Sequence, residues 1–124
     1  MKTLNTENAP GAIGPYSQAV AADRFVFVSG QLGLEPETDV LAEGIEAQSV
    51  RAIKNVGAIL KAAGLDYENA VRTTCYLKNM SDFPVFNRIY AEYFTGKPAR
   101  SCVEVSALPK GALVEIDVIA VREA

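Results

Sequence analysis

The sequence predicts an α+β fold in a single domain spanning residues 1–124, with one mostly antiparallel, mixed sheet, two helices on one face, and the order ββαβαββ. Three observations lead there. Two stretches carry apolar residues at helical spacing. Five runs rich in Val, Ile, Phe and Tyr alternate between two faces and are bounded by Gly and Pro. A length of 124 residues, 49% apolar and 22% charged, suits one ordinary globular core.

Residues 1–15 read as irregular, broken by Pro10, Gly11, Gly14 and Pro15. A hairpin follows, Tyr16 to Ala22 and Phe25 to Ser29, turning at Asp23-Arg24. Gly30 to Asp39, with Gly33 and Pro36, reads as a loop. The first helix covers about Ile45 to Ala63, with Gly64 as its stop. Gly57 inside it costs about 1 kcal/mol against Ala, a cost that close packing would offset. A strand from about Ala70 to Lys78 leads to a second helix, capped by Ser81 or Asp82, with Pro84 in its first turn. Its apolar face is Val85, Phe86, Ile89, Tyr90, Tyr93 and Phe94. Two strands close the chain, about Arg100 to Val105 and Leu113 to Val121.

Strand parity then divides the sheet. Val114, Ile116, Val118 and Ala120 form a uniformly apolar face for the helices, and the hairpin strand sets Val26 and Val28 against Phe25 and Phe27. The other face of the last strand, Leu113, Glu115, Asp117, Ile119 and Val121, is mixed but still apolar. Val71, Thr73, Cys75 and Leu77 are expected to share one side of their strand, and Cys75 to be plain core. Two helices cannot cover both faces, so the second face is expected to meet another copy of the chain in a closed homo-oligomer. A monomer whose loops cover that face is the alternative.

Composition narrows the chemistry. A net charge of −3, a pI near 4.9 and dispersed lysines and arginines argue against nucleic acid and against an anionic membrane surface. No apolar run reaches transmembrane length and residues 1–10 lack a signal core, so a cytoplasmic location is expected. Cys75 and Cys102 have no metal-type spacing and are expected as free thiols. With no histidine in the chain, a Ser-His-Asp triad, a Cys-His pair and any imidazole zinc site are excluded. No metal and no organic cofactor is expected. Acid–base work falls to Asp, Glu, Lys, Tyr, Cys or water.

Arg100, Cys102 and Glu115 are expected on the mixed face of neighbouring strands. A guanidinium grips a carboxylate bidentately, and a carboxylate can orient or deprotonate a water. A structural Arg–Glu ion pair is, on composition alone, the simpler account of the two. Gly11 to Gly14 forms a GxxG string, but it lacks basic neighbours. Gly30 to Gly33 lacks a P-loop lysine, so a turn and a ligand-facing backbone both remain open.

Taken together, PARSCVEV at 98–105, LVEI at 113–116, GPYSQAV at 14–20, FVSGQLG at 27–33, AGL at 63–65 and FNRIYAEYF at 86–94 resemble the Rid family, the YjgF-type reactive intermediate deaminases. The resemblance covers nearly the whole chain in order. It implies a chorismate-mutase-like fold, a homotrimer with sites in the clefts between subunits, and hydrolysis of 2-imino acids such as 2-aminoacrylate to 2-keto acids and ammonia. It further implies that Arg100 binds the substrate carboxylate and Glu115 positions the attacking water. Tyr16 would close the pocket, Ser29 and Gly30 would meet the ligand through their backbone, Asn87 would lie at the pocket edge and Cys102 beside it. A non-catalytic metabolite-binding trimer and a ribonuclease or translation-inhibitor role are the rivals.

Overall fold

The computed structural model describes residues 1–123. Its frame is the last strand, whose even-numbered positions Val114, Ile116, Val118 and Ala120 are at most 1% exposed. We number the strands β1 (Lys2–Leu4), β2 (Ala19–Ala22), β3 (Phe25–Leu32), β4 (Ala70–Leu77), β5 (Ala99–Glu104) and β6 (Val114–Val121). The helices are α1 (Gly44–Ala62) and α2 (Phe83–Tyr93). The sheet order is β1-β2-β3-β6-β4-β5, parallel between β4 and β5 and antiparallel elsewhere.

Both helices form where the periodicity places them. α1 buries Ala52, Ile53, Val56, Ile59 and Leu60. It stops where Gly64 turns to φ 77° and the Leu65 N–H bonds back to the Leu60 carbonyl. α2 buries Phe86, Ile89 and Tyr90 and starts after a 3₁₀ turn at Met80–Asp82. Asp82 holds the expected N-cap position, but its side chain makes no capping bond. No helix among the described residues is long and apolar enough to cross a membrane.

Four expectations about individual strands need correction. The N-terminal segment is not wholly irregular: Lys2–Leu4 pairs with Ala19–Ala22 as an edge strand, too short to show alternation. The buried Gln18 side chain holds the following loop, donating to the carbonyls of Thr6 at 3.0 Å and Pro10 at 2.8 Å and accepting from the Thr6 N–H. The strand before the hairpin turn therefore begins at Ala19 rather than Tyr16. β3 continues to Leu32, because a register irregularity between Val28 and Gln31 lets the Gly30 segment rejoin β6. Val71 leaves the face of Thr73, Cys75 and Leu77 for the same reason. The register slips between Ala70 and Arg72, and Val71 is 45% exposed.

The correction that matters most concerns strand order. β5 and β6 are not neighbours; β4 lies between them. A parallel pair needs a crossover, and α2 supplies it, setting β5 outside β4 at the sheet edge. β6 then returns to the middle of the sheet. Registered partners share a face. Thr73 faces both Arg100 and Val118, and Cys75 faces both Cys102 and Ile116. Tyr76 faces both Val103 and Glu115. Arg100 and Cys102 are thus on the helix-covered side and Glu115 on the open side. The open side also carries Phe25, Phe27 and Val103, each 42–44% exposed, an apolar surface of the kind monomers rarely keep.

Gly57 sits where a Cβ would strike the Tyr67 hydroxyl, which donates to the Ile53 carbonyl at 2.9 Å. Close packing thus explains a glycine in mid-helix. Gly57→Ala is expected to destabilise the fold by about 1–2 kcal/mol in urea titration, the overpacking outweighing the gain in helix propensity. The cost should shrink in a Tyr67→Phe background. A variant as stable as the parent would refute this packing account.

Candidate functional site

Arg100 leaves the edge strand β5 on the helix side, beneath α2. Its Nη1 donates to Asn87 Oδ1 at 2.7 Å. Its Cζ stands 4.7 Å from the Tyr90 ring centroid and 5.4 Å from that of Phe83. Tyr90 is tied in turn to Thr73 by a 2.8 Å hydroxyl–hydroxyl hydrogen bond. The guanidinium is therefore oriented by an amide and two aromatic rings, and among the described residues it forms no ion pair. It lines a cleft of about 580 Å³ with Asn87, Tyr90, Phe94, Lys97 and Pro98. A fixed cation with unused N–H groups can take a small carboxylate bidentately.

Glu115 leaves β6 on the open side. Gly30 lies against it so closely that a Cβ there would collide with the carboxylate, so only glycine fits while Glu115 keeps its place. Tyr16, Ser29, Gly30, Leu32, Leu34, Lys110 and Glu115 line a second cleft, of about 590 Å³. The Ser29 hydroxyl donates to the Ser17 carbonyl at 2.6 Å and the Ser29 N–H to the Gln18 carbonyl, which pins this wall. Burial first, and the neighbouring Asp117 second, push the Glu115 carboxyl above the usual carboxylate range. Such a group holds a proton more readily than a free glutamate and suits exchange with a water.

The structure thus gathers Tyr16, Ser29, Gly30 and Glu115 in one cleft and Asn87 and Arg100 in another. The two clefts have no residue in common. Cys102 shares the face of Arg100 but lines neither. An ion pair between Arg100 and Glu115 within one chain is absent: among the described residues the ion pairs are Arg51–Glu35 and Arg88–Glu46. Sequence reasoning assigned Tyr90 to the apolar face of its helix without seeing that it carries Arg100. It missed Phe83, Lys110 and the apolar wall of Leu32 and Leu34. The only trace of the Tyr90 role was an aromatic residue three positions after Asn87.

A family model described as Endoribonuclease L-PSP matches residues 6–122. The mouse protein named 2-iminobutanoate/2-iminopropanoate deaminase is 50% identical over 98% of this chain and 91% of its own. Its human counterpart is 46% identical over 98% and 90%. Among solved structures, the Escherichia coli YjgF gene product superposes with a TM-score of 0.95 at 43% identity, covering 99% of this chain and 100% of that one. Escherichia coli TdcF with bound serine superposes at 0.96 with 38% identity over the same shares.

Burial pushes the Cys75 thiol up to about 12, with Cys102 adding to the effect. Burial raises Cys102 too, against the pull of Arg100. Both thiols should therefore label slowly with a disulfide reagent at neutral pH, the half-buried Cys102 before Cys75, and faster as pH rises. Rapid labelling of either at pH 7 would contradict these environments.

Proposed function

The chain belongs to the Endoribonuclease L-PSP family, and from that premise we propose that it is a hydrolytic deaminase of small 2-imino acids and enamines. The class covers 2-aminoacrylate, 2-iminopropanoate and 2-iminobutanoate. The names of the mouse and human relatives support the activity. The observation that carries it is the pair of incomplete clefts: an oriented cation on one side of the sheet and a half-buried carboxylate on the other. Each lacks what the other holds. A homotrimer in which the open sheet faces meet would set the Arg100 cleft of one copy against the Glu115 cleft of the next.

In such a cleft the proposed steps need side chains and water alone. Arg100 holds the substrate carboxylate and so fixes the adjoining C=N carbon, removing much of the entropic barrier. The imine enters protonated; Glu115 takes a proton from a water as its oxygen bonds to that carbon, and the C=N electron pair moves onto nitrogen to give a neutral carbinolamine. Glu115 returns that proton to the nitrogen, then takes the hydroxyl proton as the C=O of the 2-keto acid forms and ammonia leaves, and releases it to solvent. Tyr16 closes the mouth, Ser29 and Gly30 form the wall beside Glu115, Asn87 steadies Arg100, and Cys102 stays a thiol beside it. Free thiols and an acidic net charge support a cytosolic setting.

The family's description favours one rival, cleavage of RNA. A chain without histidine, at net charge −3, is poorly equipped for it. A purely binding trimer would use the same arginine and is separated by turnover.

The test generates an imino acid with an amino acid oxidase in the presence of semicarbazide. Added wild-type protein is expected to lower the semicarbazone yield. Arg100→Ala and Glu115→Gln should each cut kcat/KM at least about a hundredfold. Wild type with no effect on several imino acids would leave the binder. RNA degradation lost in Arg100→Ala, with no imine turnover, would favour the nuclease.

A further inference from the structure

Glu115 has a second carboxylate for a neighbour. Asp117 follows two positions later on β6 and so leaves the same side of the sheet. At strand spacing the two Cα atoms are about 6.6 Å apart. Tyr76 on β4 stands directly across from Glu115 in the register, yet its hydroxyl reaches along the face and donates to Asp117 Oδ2 at 3.0 Å. The Tyr76 side chain thus bridges from the position opposite Glu115 to the carboxylate of Asp117. Glu115 has no such donor among the described residues. The steps proposed above use neither Tyr76 nor Asp117.

Resting on the assignment of Glu115 as the base, we propose that Asp117, tethered by Tyr76, is a positioning residue that sets the pH range over which Glu115 exchanges its proton. A negative charge fixed two positions along on the same face, in half-buried surroundings, favours the neutral form of its neighbour. Burial and Asp117 are the two influences that raise Glu115. Tyr76 is itself raised, by burial first and then by its bond to Asp117, so it stays protonated and remains a donor. The other titratable groups facing Glu115 are Tyr16 from the N-terminal segment, and Asp39 and Lys110 from the loops around the cleft. β3 contributes only the uncharged Ser29, Gly30 and Leu32. Arg100 of an adjoining copy would act in the opposite sense and is the same in parent and variant.

The sign follows directly. Glu115 works as a base when deprotonated, so activity falls as pH drops through its titration. Removing a charge that raises it moves that fall to lower pH and leaves a weaker base above it. Asp117→Asn keeps the shape and an oxygen for the Tyr76 hydroxyl while removing the charge.

Two readouts on assembled protein test this: the acid limb of kcat/KM against pH, and the carbon-13 NMR titration of the Glu115 carboxyl. In Asp117→Asn both midpoints are expected to move to lower pH. At high pH kcat should fall about two- to threefold with KM unchanged. A lower melting temperature with both midpoints unmoved would make Asp117 merely structural and overturn the proposal. A moved NMR midpoint, in a protein whose parent turns over no imine, would overturn the role of Glu115 as base and not its coupling to Asp117. If Asp117→Asn fails to assemble, Tyr76→Phe replaces it. Freed of its tether, Asp117 turns to solvent and the limb should again move down; an unmoved limb would sink the proposal.

Discussion

Successive side chains on a β-strand point to opposite sides of the sheet, and the register here carries that parity across three strands. Thr73 places Arg100 with Val118 on the covered face, while Tyr76 places Glu115 with Val103 on the open one. No rotamer change lets the two groups meet through the sheet. A cation and a carboxylate held this way cannot neutralise each other within one chain. Both remain available for a ligand or a second copy. The parity that divides core from surface thus also keeps the guanidinium and the carboxylate apart within one chain.

Each half is prepared at the level of packing. Asn87, Tyr90 and Phe83 hold the guanidinium, and the Thr73–Tyr90 bond anchors that group to the middle of the sheet. The Glu115 side is shaped by the pinned Ser29 and by a glycine that leaves room for the carboxylate. Preparing both groups in advance reduces the ordering cost at the moment of binding. The exposed Phe25, Phe27 and Val103 supply an apolar surface that association would bury.

Local features were legible in the sequence because they rest on local rules. Helical spacing placed α1 within a residue or two, and Gly64 marked its end. Alternation identified the buried side of β6 and the core position of Cys75. What could not be read was the order of strands. Nothing in PARSCVEV or LVEI says that β4 is inserted between them; that follows from α2 acting as a parallel crossover. The parity of β5 was recognised, but without the strand order its two faces were assigned the wrong way round. The slip at Val71 and the extension through Gly30 depend on pairing partners far along the chain. The candidate site residues came from a resemblance of motifs. Their grouping, Tyr16, Ser29 and Gly30 with Glu115 but Asn87 with Arg100, is visible only in three dimensions.

The most direct test of a site shared between copies mixes two inactive proteins. Arg100→Ala and Glu115→Gln subunits are unfolded together in equal amounts, refolded, and assayed for imine hydrolysis beside each variant refolded alone. In a closed ring of three, each mixed trimer contains one interface with both groups intact, so the mixture is expected to recover about a quarter of parental activity. A mixture as inactive as its components, with mixed trimers verified by native mass spectrometry, would contradict a site built from two chains.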